Sequence, residues 1–236
     1  MINDWLFLLI IFLTNIVQGI TGFAGTVLAM PPGILLQGID VSKSILNVLG
    51  LLASIWIVII SYKFLNKKEF IKIMLLMFIG LVIGDYIYSI IPTPILLKVY
   101  AIFIILIAIK GLVIRKEKNI NEWILILILI FAGIIHGMFV SGGPLLIIYA
   151  TKKFKEKSEF RSTVSSVWII LNSYLVYIHY SLGLFTFETS YKLLLSLIPF
   201  TFGMIIGNIF HKKMSQQFFL ILTYILLIIS GIILLI

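Results

Sequence analysis

The sequence has 236 residues, is 61% hydrophobic and 11% charged, has a mean hydropathy of +1.20 and contains no cysteine. That composition excludes a soluble globular domain, and the missing cysteines exclude disulfides, thiolate metal sites and a cysteine nucleophile. Its net charge of +9 comes from short basic clusters between apolar runs, the distribution of cytoplasmic loops rather than of a nucleic-acid-binding face, so no nucleic-acid partner is expected.

At the amino terminus, Met1-Ile2-Asn3-Asp4 carries an acidic residue where a secretory leader would carry Lys or Arg, so the first apolar segment is expected to stay in the mature chain. Apolar segments follow at roughly 5–30, 44–62, 70–91, 95–114, 123–150, 164–182, 188–210 and 216–236, those at 5–30 and 123–150 being broken. The unbroken ones are about 19–24 residues long, enough to cross a hydrocarbon core at ~1.5 Å per residue. The longest polar stretch, Thr151 to Arg161, is too short for a soluble domain and reads as a solvated loop. One membrane domain over 1–236 is predicted.

The first break is Gln18-Gly19-Ile20-Thr21-Gly22-Phe23-Ala24-Gly25-Thr26, ahead of Met30-Pro31-Pro32. About 118 residues later comes His136-Gly137-Met138-Phe139-Val140-Ser141-Gly142-Gly143-Pro144. At that offset Gln18 falls on His136, Gly19 on Gly137, Gly25 on Gly143, and Lys43-Ser44 on Arg161-Ser162. Irregular backbone survives at membrane depth only where protein buries it or where it lines a cavity, and paired breaks point to a transporter's substrate site. The pairing predicts an internal duplication, repeat 1 about 1–116 and repeat 2 about 117–236.

Loop charge bears on whether the broken segments cross. With eight crossings the Lys and Arg residues divide nine to nine; with both broken segments re-entrant they divide fifteen to three, leaving only Lys43, Lys98 and Lys192 on the poor side. Making only the second re-entrant gives the same split, but two re-entrant segments match the halves segment for segment. The predicted fold class is an all-α integral membrane protein: a polytopic helical bundle of two inverted repeats, each a broken or re-entrant Gly-rich segment plus three transmembrane helices. If re-entrant, each broken segment is expected as two half-helices of about a dozen residues, with the Lys-rich loops in the cytoplasm.

Candidate pathway residues lie at the breaks. Gly19, Gly22, Gly25, Gly137, Gly142 and Gly143 let the chain turn and leave N–H groups free for a ligand, and half-helix amino ends there suit an anion. Gln18, Thr21, Thr26 and Ser141 add neutral polar groups, and Asn47 and Asn172, with Ser54, Ser165 and Ser166, are candidates for the cavity wall. His136 and Asp85 are the candidates for proton coupling, since ionisable side chains inside a membrane are functional hypotheses by default. Asp85 has Asn208 as its repeat partner. His179 and His211 are expected near span ends, Gly80-xxx-Gly84 and Gly203-xxx-Gly207 in helix packing, Pro92-Thr93-Pro94 in a tight loop, and Pro199 at a kink. No catalytic residue, cofactor or metal site is expected.

Gly19-Ile20-Thr21-Gly22-Phe23-Ala24-Gly25 with Met30-Pro31, followed by Gly137 to Pro144, resembles the TauE/SafE family of membrane permeases, linked to export of sulfite and organosulfonates. The resemblance covers essentially the whole chain. It implies a permease of the bacterial cytoplasmic membrane, multi-pass, with a small anionic substrate and the lipid bilayer as partners and a homo-oligomer left open. An anion channel, or an intramembrane lipid-acting enzyme using His136, are the alternatives.

Overall fold

The computed structural model describes residues 2–113, 121–154 and 156–211, and 221, 224, 225, 228, 229, 231, 232 and 235 beyond them. Arg115, Lys116, Lys118, Lys155, Lys212, Lys213 and most of the expected last segment, 216–236, lie outside the described residues. The helices are α1 (Ile2–Thr21), α2 (Ala24–Gln37), α3 (Ile39–Ser61), α4 (Lys67–Ile90), α5 (Thr93–Val113), α6 (Glu122–Phe139), α7 (Gly143–Lys153), α8 (Lys157–Ser181) and α9 (Phe187–His211). Among the described residues, six stretches are long and apolar enough to cross a membrane: α1, α3 with the short 3₁₀ turn that follows it, α4, α5, α6 and α9. α8 has the length, at 25 residues, but carries a polar, buried face.

Local signals set several boundaries. The side chain of Asn66 accepts from Glu69 N at 3.0 Å and caps α4, while Asn121 accepts from Trp123 N at 3.1 Å and caps α6. Pro92 falls between α4 and α5, and Pro94 sits in the first turn of α5, where its missing N–H costs nothing. Pro31 and Pro32 do not end the first broken segment as expected: α2 runs through both to Gln37, and α3 starts at Ile39 instead of near 44.

Both broken segments fold back on themselves. Gln37, the last residue of α2, donates to Asp4 near the start of α1 at 3.1 Å. Lys153, the last residue of α7, pairs with Glu122 at the start of α6 at 3.0 Å. The two hairpins open toward opposite ends of α4: Lys72, near its start, pairs with Glu122, and Tyr88, near its end, reaches Asp40 just past Gln37 at 3.4 Å. The limbs are not the half-helices expected. α1 and α6 run for 20 and 18 residues, about 30 and 27 Å, and only the returning α2 and α7 are short, at 14 and 11 residues.

Each leading limb is packed against a helix of the other half. α1 runs parallel to α9, from Lys192 beside Asp4 (3.4 Å) to Gly207 against Gly19, where a Cβ on Gly19 would stand 2.9 Å from the Gly207 Cα. α6 runs parallel to α4 with backbones equally close: a Cβ on Gly80 or Gly84 would strike the Ile130 or Ile134 carbonyl, and one on Gly133 or Gly137 the Met77 or Leu81 carbonyl. The GxxxG-like pairs do the packing expected of them, because small residues let helices approach without side chains between. α3 and α8 cross between these pairs, with Asn47 Nδ2 donating to the Asn172 carbonyl at 3.2 Å. Large apolar side chains face outward and polar ones such as Asn15, Gln18, Asn47, His136 and Asn172 are buried, the arrangement a bundle in lipid requires.

Candidate functional site

The elbows of the two hairpins are built alike. α1 ends as Gly22 N donates to the Gln18 carbonyl at 2.7 Å, and α6 ends as Val140 N donates to the His136 carbonyl at 2.7 Å. Both turning residues have positive φ, 87° at Gly22 and 53° at Val140, a region costly for a β-branched side chain. The elbows meet, with Gly143 at the start of α7 facing the Phe23 carbonyl at the start of α2.

Between them lies a narrow pocket lined by Gln18, Phe23 and Thr26 of the first hairpin, His136, Val140 and Gly143 of the second, Gly50 and Ser54 of α3, and Trp168 and Asn172 of α8. The side chain of Gln18 bends to accept from Gly25 N at 2.8 Å. His136 Nε2 meets Asn172 Oδ1 at 2.9 Å and its ring lies 4.6 Å from that of Trp168. His136 Nδ1 and Trp168 Nε1 are buried without a partner among the described residues. α2 and α7 both start beside the pocket, so the positive ends of their dipoles face it, and among the described residues no carboxylate lines it.

Of the residues singled out from sequence, Gln18, Thr26, His136, Gly143 and Asn172 line this pocket, with Ser54 beside them. The others serve the frame around it. Asn47 bonds the Asn172 carbonyl; Thr21 donates to Val17 O at 2.7 Å and accepts from Phe23 N and Ala24 N, capping α2; Ser141 donates to Phe139 O at 2.8 Å. Gly19 and Gly137 hold helix contacts, Gly22 forms the elbow, and Gly25 and Gly142 leave room for Gln18 and His136. Asp85 is set apart from the pocket, with a Cβ on Gly137 2.9 Å from its backbone nitrogen and its charge acting on Lys43.

His179 lies in the last turn of α8, near a span end as expected, but it is buried in the bundle and not at an interface. Arg161 and Lys43, counted as loop cations, are 5% and 2% exposed on α8 and α3. Removing one from each side leaves the loop-charge asymmetry intact. Phe23, Gly50, Val140 and Trp168 line the pocket without having been singled out. The signal for Gly50 and Trp168 was the repeat offset itself: Lys43, Asn47, Gly50 and Ser54 fall on Arg161, Ser165, Trp168 and Asn172, both sets at the i, i+4, i+7, i+11 spacing of one helix face.

No curated protein and no solved structure matches the chain. The family model for the sulfite exporter TauE/SafE, however, matches residues 7–234, which takes in both hairpins, both elbows and the pocket they enclose, and the chain belongs to that family of membrane transporters.

Proposed function

We propose that the chain is a secondary transporter that exports small sulfur oxyanions or organosulfonates by alternating access, built from two inverted repeats at about 1–116 and 117–236. The observation that carries this reading is the convergence of two helix amino ends on one buried pocket whose lining offers neutral donors and no carboxylate. An anion gains from both dipoles there, and the unpartnered Trp168 Nε1–H gives it a further donor. His136 is held by an amide rather than a carboxylate, which suits ligand contact better than acid or base catalysis.

The moving bodies are not the sequence repeats. α1 is fixed to α9 and α6 to α4 by backbone-close glycine contacts, so each hairpin travels with a helix of the other half. Rocking of one pair against the other about α3 and α8 opens the pocket first to one face and then to the other. The end carrying Lys72 and Lys153 faces the cytoplasm of the bacterial inner membrane by the bias of basic loops.

The test is efflux from proteoliposomes loaded with sulfite or sulfoacetate. Saturable efflux, accelerated by the same anion outside and lost in Gly143→Leu, is the expected result. Flux linear in concentration without counterflow makes the protein a static pore, and no flux of any sulfur anion overturns the proposal.

A further inference from the structure

Arg161 lies on α8 in line with Ser165, Trp168 and Asn172, and this face leads from the Lys153 end of the bundle to the pocket. One Arg161 Nη donates to the Gly19 carbonyl at 2.8 Å and to Asn208 Oδ1 at 3.1 Å, both uncharged acceptors. No carboxylate among the described residues forms an ion pair with it. Arg161 Nε, Ser165 Oγ and Trp168 Nε1 are each buried with no partner among the described residues, three successive polar groups on one face. The first elbow packs closely against this face, since a Cβ on Gly22 would stand 3.1 Å from Arg161 Cγ and 3.4 Å from Ser165 Oγ. A buried guanidinium without a counter-charge is costly, as are buried donors left unpaired, and a single oxyanion would answer both.

The other half solves the same problem differently. Lys43 holds the repeat position of Arg161 and is equally buried, but it has its compensation in place: its ammonium stands 3.6 Å from the centre of the Tyr88 ring and feels the charges of Asp85 and Asp40. Asp85 follows Gly84 as Asn208 follows Gly207, so the two correspond where Gly80-xxx-Gly84 is laid on Gly203-xxx-Gly207. One half sets its buried cation over an aromatic ring and within the field of two carboxylates; the other sets an amide beside its cation and leaves it without either.

We infer that Arg161, with Ser165, is a second binding site for the transported anion, between the pocket and the Lys153 end, and that Asn208 keeps it open by not being an aspartate. The inference rests on the anion-transport reading and adds to it a site of asymmetric charge. The substrate class follows from the donors: a compact oxyanion, sulfite or a sulfonate, able to take the Nε–H of a guanidinium and a hydroxyl together.

The experiment is calorimetric titration of the purified full chain in detergent with sodium sulfite and sodium sulfoacetate, for wild type, Arg161→Gln, Asn208→Asp and Asn172→Ala. Asn208→Asp keeps Arg161 and sets a carboxylate beside it, so it is expected to melt at or above the wild-type temperature while binding either anion about tenfold or more weaker. Arg161→Gln is expected to lose binding by at least as much. Wild-type affinity in Asn208→Asp, with binding lost in Asn172→Ala, overturns the Arg161 site and leaves the pocket standing. Absence of binding to wild type overturns both.

Discussion

Gly80→Ala puts the packing of α4 on α6 to a direct test. On an exposed helix this change would stabilise by about 1 kcal/mol through helix propensity. Here the added Cβ falls on the Ile130 carbonyl oxygen and lies 2.9 Å from both the carbonyl carbon and Ile134 N. These are backbone atoms of a helix and cannot rotate aside, so α4 and α6 must part. A gap of ~0.5–1 Å forfeits roughly a quarter to a half of each contact's dispersion energy along the seam. Overpacking of this kind costs about 1–3 kcal/mol and exceeds the propensity gain. The assay is an SDS unfolding titration in mixed micelles, with a lower midpoint expected. Gly133→Ala, whose Cβ falls on the Met77 carbonyl, should do the same, and the double variant should cost less than the sum because helices already parted accommodate the second methyl. A midpoint at or above wild type for Gly80→Ala would refute the close backbone approach, and strict additivity would refute a shared seam.

Asn172→Ala removes the partner of His136 Nε2 and leaves both ring nitrogens without a protein partner, so a loss of about 1–3 kcal/mol in the same titration and a loss of sulfite efflux are expected together; wild-type efflux would remove His136 from the pathway. Gly22→Ala puts a side chain at φ 87°, for roughly 1–2 kcal/mol, and crowds Arg161, so both stability and transport should fall. Glu122→Ala, at an exposed ion pair, should change stability by less than about 1 kcal/mol. In a chain with no native cysteine, Lys67→Cys and Lys153→Cys should be labelled by an impermeant maleimide only from the cytoplasmic side and Glu188→Cys only from outside, and labelling of Lys67 and Lys153 from different sides would contradict the closed second hairpin.

Much of the architecture is written in local chemistry. Runs such as Leu6 to Leu13 or Ile124 to Phe131 have no fate but burial in lipid or protein, and Gly22 and Gly142-Gly143 mark where a helix of that composition stops. The offset that lays Gln18 on His136 also finds two residues whose carbonyls close their helices in the same way. Reading failed where a residue's neighbours are distant in sequence. Pro31-Pro32 looked like a helix end, yet α2 continues, because burial against α1 and α3 outweighs two lost backbone bonds. Arg161 follows a run of lysines and was counted with them, although it lies one turn into α8, where a long side chain reaches Gly19 and Asn208.

Hydropathy and glycine spacing by themselves determined that the chain is a helical membrane bundle with two glycine-rich breaks, because solvation in lipid and the loss of Cβ act residue by residue. Only the tertiary structure decided that α1 belongs with α9 and α6 with α4, that both elbows face one pocket, and that Lys43 finds charge compensation while Arg161 does not. Those facts depend on which backbones can approach to within a glycine's width, and on which groups a buried cation meets, Arg161 reaching Asn208 and Gly19 across 47 and 142 residues of intervening chain. No local window of sequence contains either.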